Sequence, residues 1–253
     1  MADLRVKPDD VASRARESRD GDNLLLWDAG RLTRARPQHF DPDWWADRGE
    51  LRPVVAGRGA AWFVHGAGGE WVLRHYRRGG LVARWIEDHY LWTGIRRTRA
   101  FAEWRLLAVL AGQGLPVPAP VAARVRRQGI RYAADLITVR IPDSESLAQR
   151  LGRAPLPAAR WQSLGHLVAR FHEAGACHHD LNAHNILVDG RGRFWLIDFD
   201  RGRLRRPGRW RRHNLARLRR SLDKLAGQGS GLHFRETDWQ ALHGGYLMGP
   251  SAH

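Results

Sequence analysis

The strongest constraint on this chain is a set of polar residues at fixed spacing in its C-terminal half. Asp180 and Asn185 stand five positions apart, and Asp198 follows 18 positions after Asp180. Two short apolar runs, Ile186–Asp189 and Phe194–Asp198, occupy the interval, with a turn expected at Gly190–Gly192. A tight loop, a hairpin of two strands and a second loop bring the three polar groups to one edge of a lobe. That arrangement requires a folded scaffold around it.

The remaining patterning supplies one. Residues 1–22 read as a flexible leader. Strands are expected at Leu51–Val55, Ala60–His65 and Glu70–Tyr76, where alternation and the aromatics Trp62, Phe63 and Trp71 favour an antiparallel sheet. Phe101, Leu106, Leu107 and Leu110 fall at helical spacing within Thr98–Leu110, with Gly112 as the stop. Pro116, Pro118 and Pro120 interrupt structure ahead of a hairpin, Ala122–Arg126 and Arg131–Val139. Asp143–Ser146 leads into a short helix around Leu147–Leu151. An amphipathic helix follows from Pro157 to Glu173, its buried stripe made by Leu164, Leu167, Val168 and Phe171, and Gly175 ends it. The last clear helix is Asn214–Leu225. A sheet-rich first half with one long helix and a mostly helical second half predict an α+β protein of two lobes, residues 23–140 and 141–253.

Composition narrows the setting. The chain carries 42 basic against 26 acidic side chains, a net charge of +16, and its only lysines are Lys7 and Lys224. An arginine surplus suits phosphate and carboxylate partners, although a genome-wide bias toward arginine would produce it as well. The single cysteine, Cys177, excludes an intramolecular disulfide framework. Neither a secretory signal nor an apolar run long enough to span a membrane is read in the sequence.

The segment His178-His179-Asp180-Leu181-Asn182-Ala183-His184-Asn185, with Leu196-Ile197-Asp198-Phe199-Asp200 beyond it, resembles the protein-kinase catalytic loop and its Asp-Phe-Gly partner. In phosphoryl transfer one carboxylate orients the acceptor hydroxyl, while an amide and a second carboxylate hold Mg²⁺ on the nucleotide phosphates. Those roles fall to Asp180, Asn185 and Asp198. Gly57-Arg58-Gly59, followed by Ala60 to Val64, resembles a phosphate-covering hairpin with Trp62 where a third glycine would sit. Trp71-Val72-Leu73-Arg74 ends in arginine where kinases carry lysine, so Arg74 is expected to be the cation on the nucleotide phosphates, paired with Glu103. His178 is expected to pack beneath the loop. The cluster of Cys177, His178, His179, Asp180 and His184 also admits a transition-metal reading, but consecutive residues diverge and no second ligand pair exists at zinc-finger spacing.

Further strings resemble one family. Leu73–Gly80, Tyr90-Leu91-Trp92-Thr93-Gly94, Gly114-Leu115-Pro116-Val117-Pro118, Cys177–Asn185 and Ile197–Gly202 are similar to the 3-deoxy-D-manno-octulosonic acid (Kdo) kinases of the lipopolysaccharide core kinase family, over roughly residues 25 to 225. The resemblance implies a bilobal protein-kinase-like fold and transfer of the γ-phosphate of ATP, with Mg²⁺, to the 4-hydroxyl of a Kdo residue on a lipid A precursor. It also implies a peripheral location on the cytoplasmic face of the inner membrane of a Gram-negative bacterium, among anionic lipids, with no specific nucleic acid as partner. Arg77, Arg78 and the run Arg201–Arg212 become candidate glycolipid contacts, and Trp44, Trp45, Trp85 and Trp92 candidate interfacial anchors. Heptose kinases and small-molecule phosphotransferases on the same fold remain alternatives, as does a non-catalytic basic module.

Overall fold

The structure, a computed structural model, describes residues 14–53, 61–76, 90–92, 94–227 and 231–249. The chain divides into two units, one made of Met1–Gly114 and Pro118–Arg140, the other of Leu115–Val117 and Ile141–His253.

The first unit is built on an antiparallel sheet of eight strands: β1 (Ala15–Asp20), β2 (Asn23–Asp28), β3 (Leu51–Pro53), β4 (Ala61–Gly66), β5 (Gly69–His75), β6 (Tyr90–Leu91), β7 (Pro120–Gln128) and β8 (Arg131–Val139). Their spatial order is β1-β2-β7-β8-β5-β4-β3, with β6 paired to β8. A short helix α1 (Pro42–Ala46) and the long α2 (Arg99–Gly112) complete it. The central strands β7 and β8 are buried along most of their length, and α2 packs against both. Leu25, Trp27, Phe40, Trp45, Val64, Trp71 and Leu73 form one apolar cluster with them. Trp45 is therefore a core residue, its ring edge-on to Trp71 at 6.2 Å, and not an interfacial anchor.

Several expected boundaries move. The leader gives way at β1, which pairs with β2 along its whole length from Ala15↔Asp28 to Asp20↔Asn23. Its side chains are mostly exposed, so it carries no apolar alternation; backbone pairing holds it, together with Arg14 on Asp28 at 2.9 Å and Arg105 on Glu17 at 2.6 Å. Pro120 opens β7 instead of breaking structure. It occupies the first position of the strand beside a bulge, where a missing N–H is tolerated. Gly112 lies inside α2, and Gly114 (φ 71°) supplies the left-handed turn that ends it.

The second unit contains β9 (Glu145–Ser146), α3 (Leu147–Arg153), α4 (Ala158–Glu173), β10 (Ala176–Cys177), β11 (Ile186–Val188), β12 (Phe194–Leu196), β13 (Arg203–Leu204), α5 (Trp210–Gly227) and α6 (Glu236–Met248). The α6 helix is unanticipated, and the reason is physical. Only Leu242 and Gly245 of α6 are buried. It meets α4 backbone to backbone: a Cβ on Gly165 would lie 2.0 Å from the Leu242 carbonyl oxygen, and one on Gly245 2.2 Å from that of Gln162. An interface made by two glycines displays no apolar stripe.

The same α4–α6 seam carries a pH dependence. His172 is 2% exposed, its Nδ1 lies 3.0 Å from the Tyr246 hydroxyl, and Trp210 stands edge-on at 4.9 Å. Burial, with a further push from Arg211, lowers its pKa from 6.5 to about 4 against a hydrogen bond with Asn214. A histidine held neutral in the fold stabilises fully above its unfolded pKa and loses that contribution as pH falls toward 4. The displacement corresponds to about 3 kcal/mol at most. Thermal unfolding at pH 7 and pH 4 should show the loss, and His172→Gln, uncharged at both, should shrink it.

Candidate active site

The second unit positions the expected catalytic loop through a buried histidine. The His178 ring is fully enclosed, and its two nitrogens are assigned by their partners. The backbone N–H of Asp180 donates to Nδ1 at 3.1 Å, so Nδ1 accepts and Nε2–H donates to the Ile197 carbonyl at 2.9 Å. The ring is thus neutral, in keeping with burial, the largest influence, which lowers its pKa despite the nearby Asp198 and Asp180. Asn214 on α5 clamps the backbone of the same residue: its Oδ1 accepts from the His178 N–H at 3.2 Å and its Nδ2 donates to the carbonyl at 2.8 Å. Phe199 packs against this ring at 4.6 Å and is stacked on Phe171 at 5.9 Å.

Around that anchor hydrogen bonds join Asp180 to Asn185 and Asn185 to Ile197, the residue before Asp198. Asn185 Nδ2 donates to the Asp180 carbonyl at 2.9 Å, and its own carbonyl accepts from the Ile197 N–H at 3.0 Å. Both backbone polar groups of Ile197 are thereby held, by Asn185 and by His178, and Asp198 follows immediately with φ 61°. That left-handed conformation costs little for aspartate compared with bulkier residues and turns the chain sharply after β12. The hairpin itself is closed by Asp189, whose carboxylate accepts from the backbone of Arg191 and Arg193 and from the Trp195 indole.

Asn182 shapes the loop from within. Its Oδ1 caps the N–H groups of His184 and Asn185, and its Nδ2 donates to Asp180 Oδ2 at 3.0 Å. The other Asp180 oxygen is 3.2 Å from Arg217 on α5, and the Asp180 side chain is 54% exposed. An open pocket of about 240 Å³ is lined by His179, Asp180, Asp198, Asp200, Arg201 and Arg217. His179 is exposed at its rim, and its pKa is lowered by burial first, then by Arg201 and Arg217. The donor set suits a hard cation. Asn185 Nδ2 is engaged, its Oδ1 accepts nothing from the described residues, and Asp198 adds a carboxylate. No group of three His, Cys, Asp or Glu side chains is arranged to hold a metal ion among the described residues.

In the first unit Arg74 of β5 meets Glu103 of α2, Nη2 to Oε2 at 2.5 Å, and the Tyr76 hydroxyl donates to the same oxygen at 2.5 Å. Burial, then the Glu103 charge, push the Tyr76 pKa well above 10, so it stays a donor. Gly57, Arg58 and Gly59 lie outside the described residues, as do Arg77, Arg78 and Trp85. Sequence reading missed Asn182, Asn214, Arg217 and Tyr76. The first stands inside the motif at a variable position, Asn214 and Arg217 come from a helix remote in sequence that spacing cannot reach, and Tyr76, two positions after Arg74, meets Glu103 only through the fold.

The family model for the lipopolysaccharide kinase (Kdo/WaaP) family matches residues 42–246. Among similar proteins, the 3-deoxy-D-manno-octulosonic acid kinase of Xanthomonas campestris pv. campestris is 50% identical over 241 residues, and that of Xanthomonas oryzae pv. oryzae 50% over 238. The protein of the same name from Stenotrophomonas maltophilia is 49% identical over 238 residues, and in all three cases 92% of each chain is covered. With the hydrogen-bonded loop around Asp180 set in an α+β fold, and with this match across most of its length, the chain belongs to the lipopolysaccharide kinase (Kdo/WaaP) family of ATP-dependent phosphotransferases.

Proposed function

We propose that the chain phosphorylates the 4-hydroxyl of a Kdo residue carried on a lipid A precursor, using Mg²⁺-ATP. The observation that carries this reading is the hydrogen-bonded loop in which His178, Asn185 and Ile197 hold Asp180 and Asp198 around one pocket. The names and high identity of the relatives supply the acceptor class. Asp180 orients the acceptor hydroxyl and takes its proton late, as the oxygen bonds to phosphorus. Asn185 Oδ1 and the Asp198 carboxylate would hold Mg²⁺, a hard cation suited to amide and carboxylate oxygens. When bound, Mg²⁺-ATP supplies the phosphoryl group and offsets charge on it in the transition state. Arg74, fixed by Glu103 and Tyr76, is the cation for the nucleotide phosphates.

No helix among the described residues is long and apolar enough to cross a membrane. The +16 chain instead works as a peripheral protein at the inner face of the inner membrane, where its glycolipid acceptor lies among anionic headgroups. The test is incubation with ATP, Mg²⁺ and Kdo-bearing lipid A precursor, with a heptosylated acceptor in parallel. One phosphate added to Kdo, located at the 4-position by NMR, is the expected product. Transfer to the heptosylated acceptor alone overturns the reading.

A further inference from the structure

Asp180 and Asp198 of the pocket have duties in the proposed mechanism, but its arginines do not. Arg217 reaches Asp180 Oδ1 with Nη1 at 3.2 Å and makes no other hydrogen bond among the described residues. Its side chain is 44% exposed, and an ion pair so placed contributes at most about 1 kcal/mol to stability. Arg201 lines the same pocket with no side-chain hydrogen bond among the described residues. It sits at φ 58°, in a turn closed by the Gly202 N–H on the Phe199 carbonyl at 2.7 Å. A non-glycine residue held in that conformation at a pocket is a mark of function more than of packing.

A guanidinium presents five donors in a planar fork that matches a carboxylate in two places, and Arg217 uses one. It also stands against Asp180, the group that meets the acceptor, whereas Asn185 and Asp198 serve the nucleotide. We propose that Arg217, with Arg201 beside it, binds a carboxylate of the acceptor sugar next to the hydroxyl that Asp180 orients. The inference rests on the Kdo reading, because Kdo is a sugar acid and heptose is not. Capture of that carboxylate moves Arg217 from Asp180 Oδ1 and leaves the oxygen to the hydroxyl. The pocket thereby selects for an anionic sugar.

The test uses the full chain with two acceptors, the Kdo–lipid A precursor and the same molecule with the Kdo carboxylate converted to its carboxamide. Arg217→Ala should raise KM for the carboxylate acceptor by about tenfold or more, the effect of losing charged hydrogen bonds, with KM for ATP within about twofold. On the carboxamide acceptor the wild type should already show the higher KM, and the variant should add less than about threefold. Arg217→Lys, keeping charge without the fork, should fall between. An equal loss on both acceptors, or a rise confined to the KM for ATP, overturns the inference and assigns Arg217 to loop structure or to the nucleotide. Absence of turnover by the wild type on the carboxylate acceptor overturns the Kdo reading itself, and this inference with it.

Discussion

Replacing Asp180 by alanine is expected to lower kcat by about 10² to 10⁴, the usual range for losing a positioned acid–base group, with the affinity for Mg²⁺-ATP within about twofold. The structure makes this a clean experiment. The bonds that hold the loop use the Asp180 backbone: its N–H donates to His178 Nδ1, and its carbonyl accepts from Asn182 and Asn185. Among the described residues its side chain hydrogen-bonds only to Asn182 Nδ2 and Arg217, both at an exposed position. Alanine therefore removes the carboxylate and leaves its scaffold. Single-turnover transfer from labelled ATP, with the melting temperature recorded alongside, separates loss of chemistry from loss of fold. A rate within tenfold of wild type would remove Asp180 from the proposed role.

The loop was legible in the sequence because its parts are local. Asp180, Asn185 and Asp198 are fixed by two short strands and a turn, and such spacing needs no tertiary information. The same holds for α4, whose stripe of Leu164, Leu167, Val168 and Phe171 is buried as the periodicity implies. What stayed hidden lies where backbone or remote side chains do the binding. β1 is an edge strand with exposed side chains, and α6 docks through Gly165 and Gly245, so neither displays a hydrophobic period. Arg217 and Asn214 sit on one helix that reads only as an amphipathic run with Leu215, Leu218 and Leu222. Nothing in that run marks two of its polar residues as partners of His178 and Asp180. Arg74 and Glu103 are 29 residues apart and were paired by analogy with the kinase pattern; Tyr76, which completes their hydrogen bonding, has no counterpart in that pattern.

Asp198→Asn should reduce kcat/KM for ATP by about 10³, the order expected when charge stabilisation at a transferring phosphoryl group is lost, and should raise the Mg²⁺ concentration needed for half-maximal rate by tenfold or more. Asparagine is the proper replacement because the site has φ 61°, which asparagine adopts readily and alanine does not. The backbone anchors just before it belong to Ile197, bonded to Asn185 and His178, so the turn persists when the carboxylate becomes an amide. Binding of ATP without Mg²⁺ should change by less than about threefold, since Arg74, the proposed cation for the phosphates, is untouched. A second carboxylate, Asp200, lines the same pocket two residues on and supplies the control. If Asp200→Asn shifts the Mg²⁺ requirement and Asp198→Asn does not, the metal belongs to Asp200, and the correspondence of Asp198 with the kinase metal ligand is wrong. If only Asp198→Asn shifts it, the left-handed turn after β12 exists to aim that carboxylate, and the buried neutral His178 beneath it is the part that holds the aim.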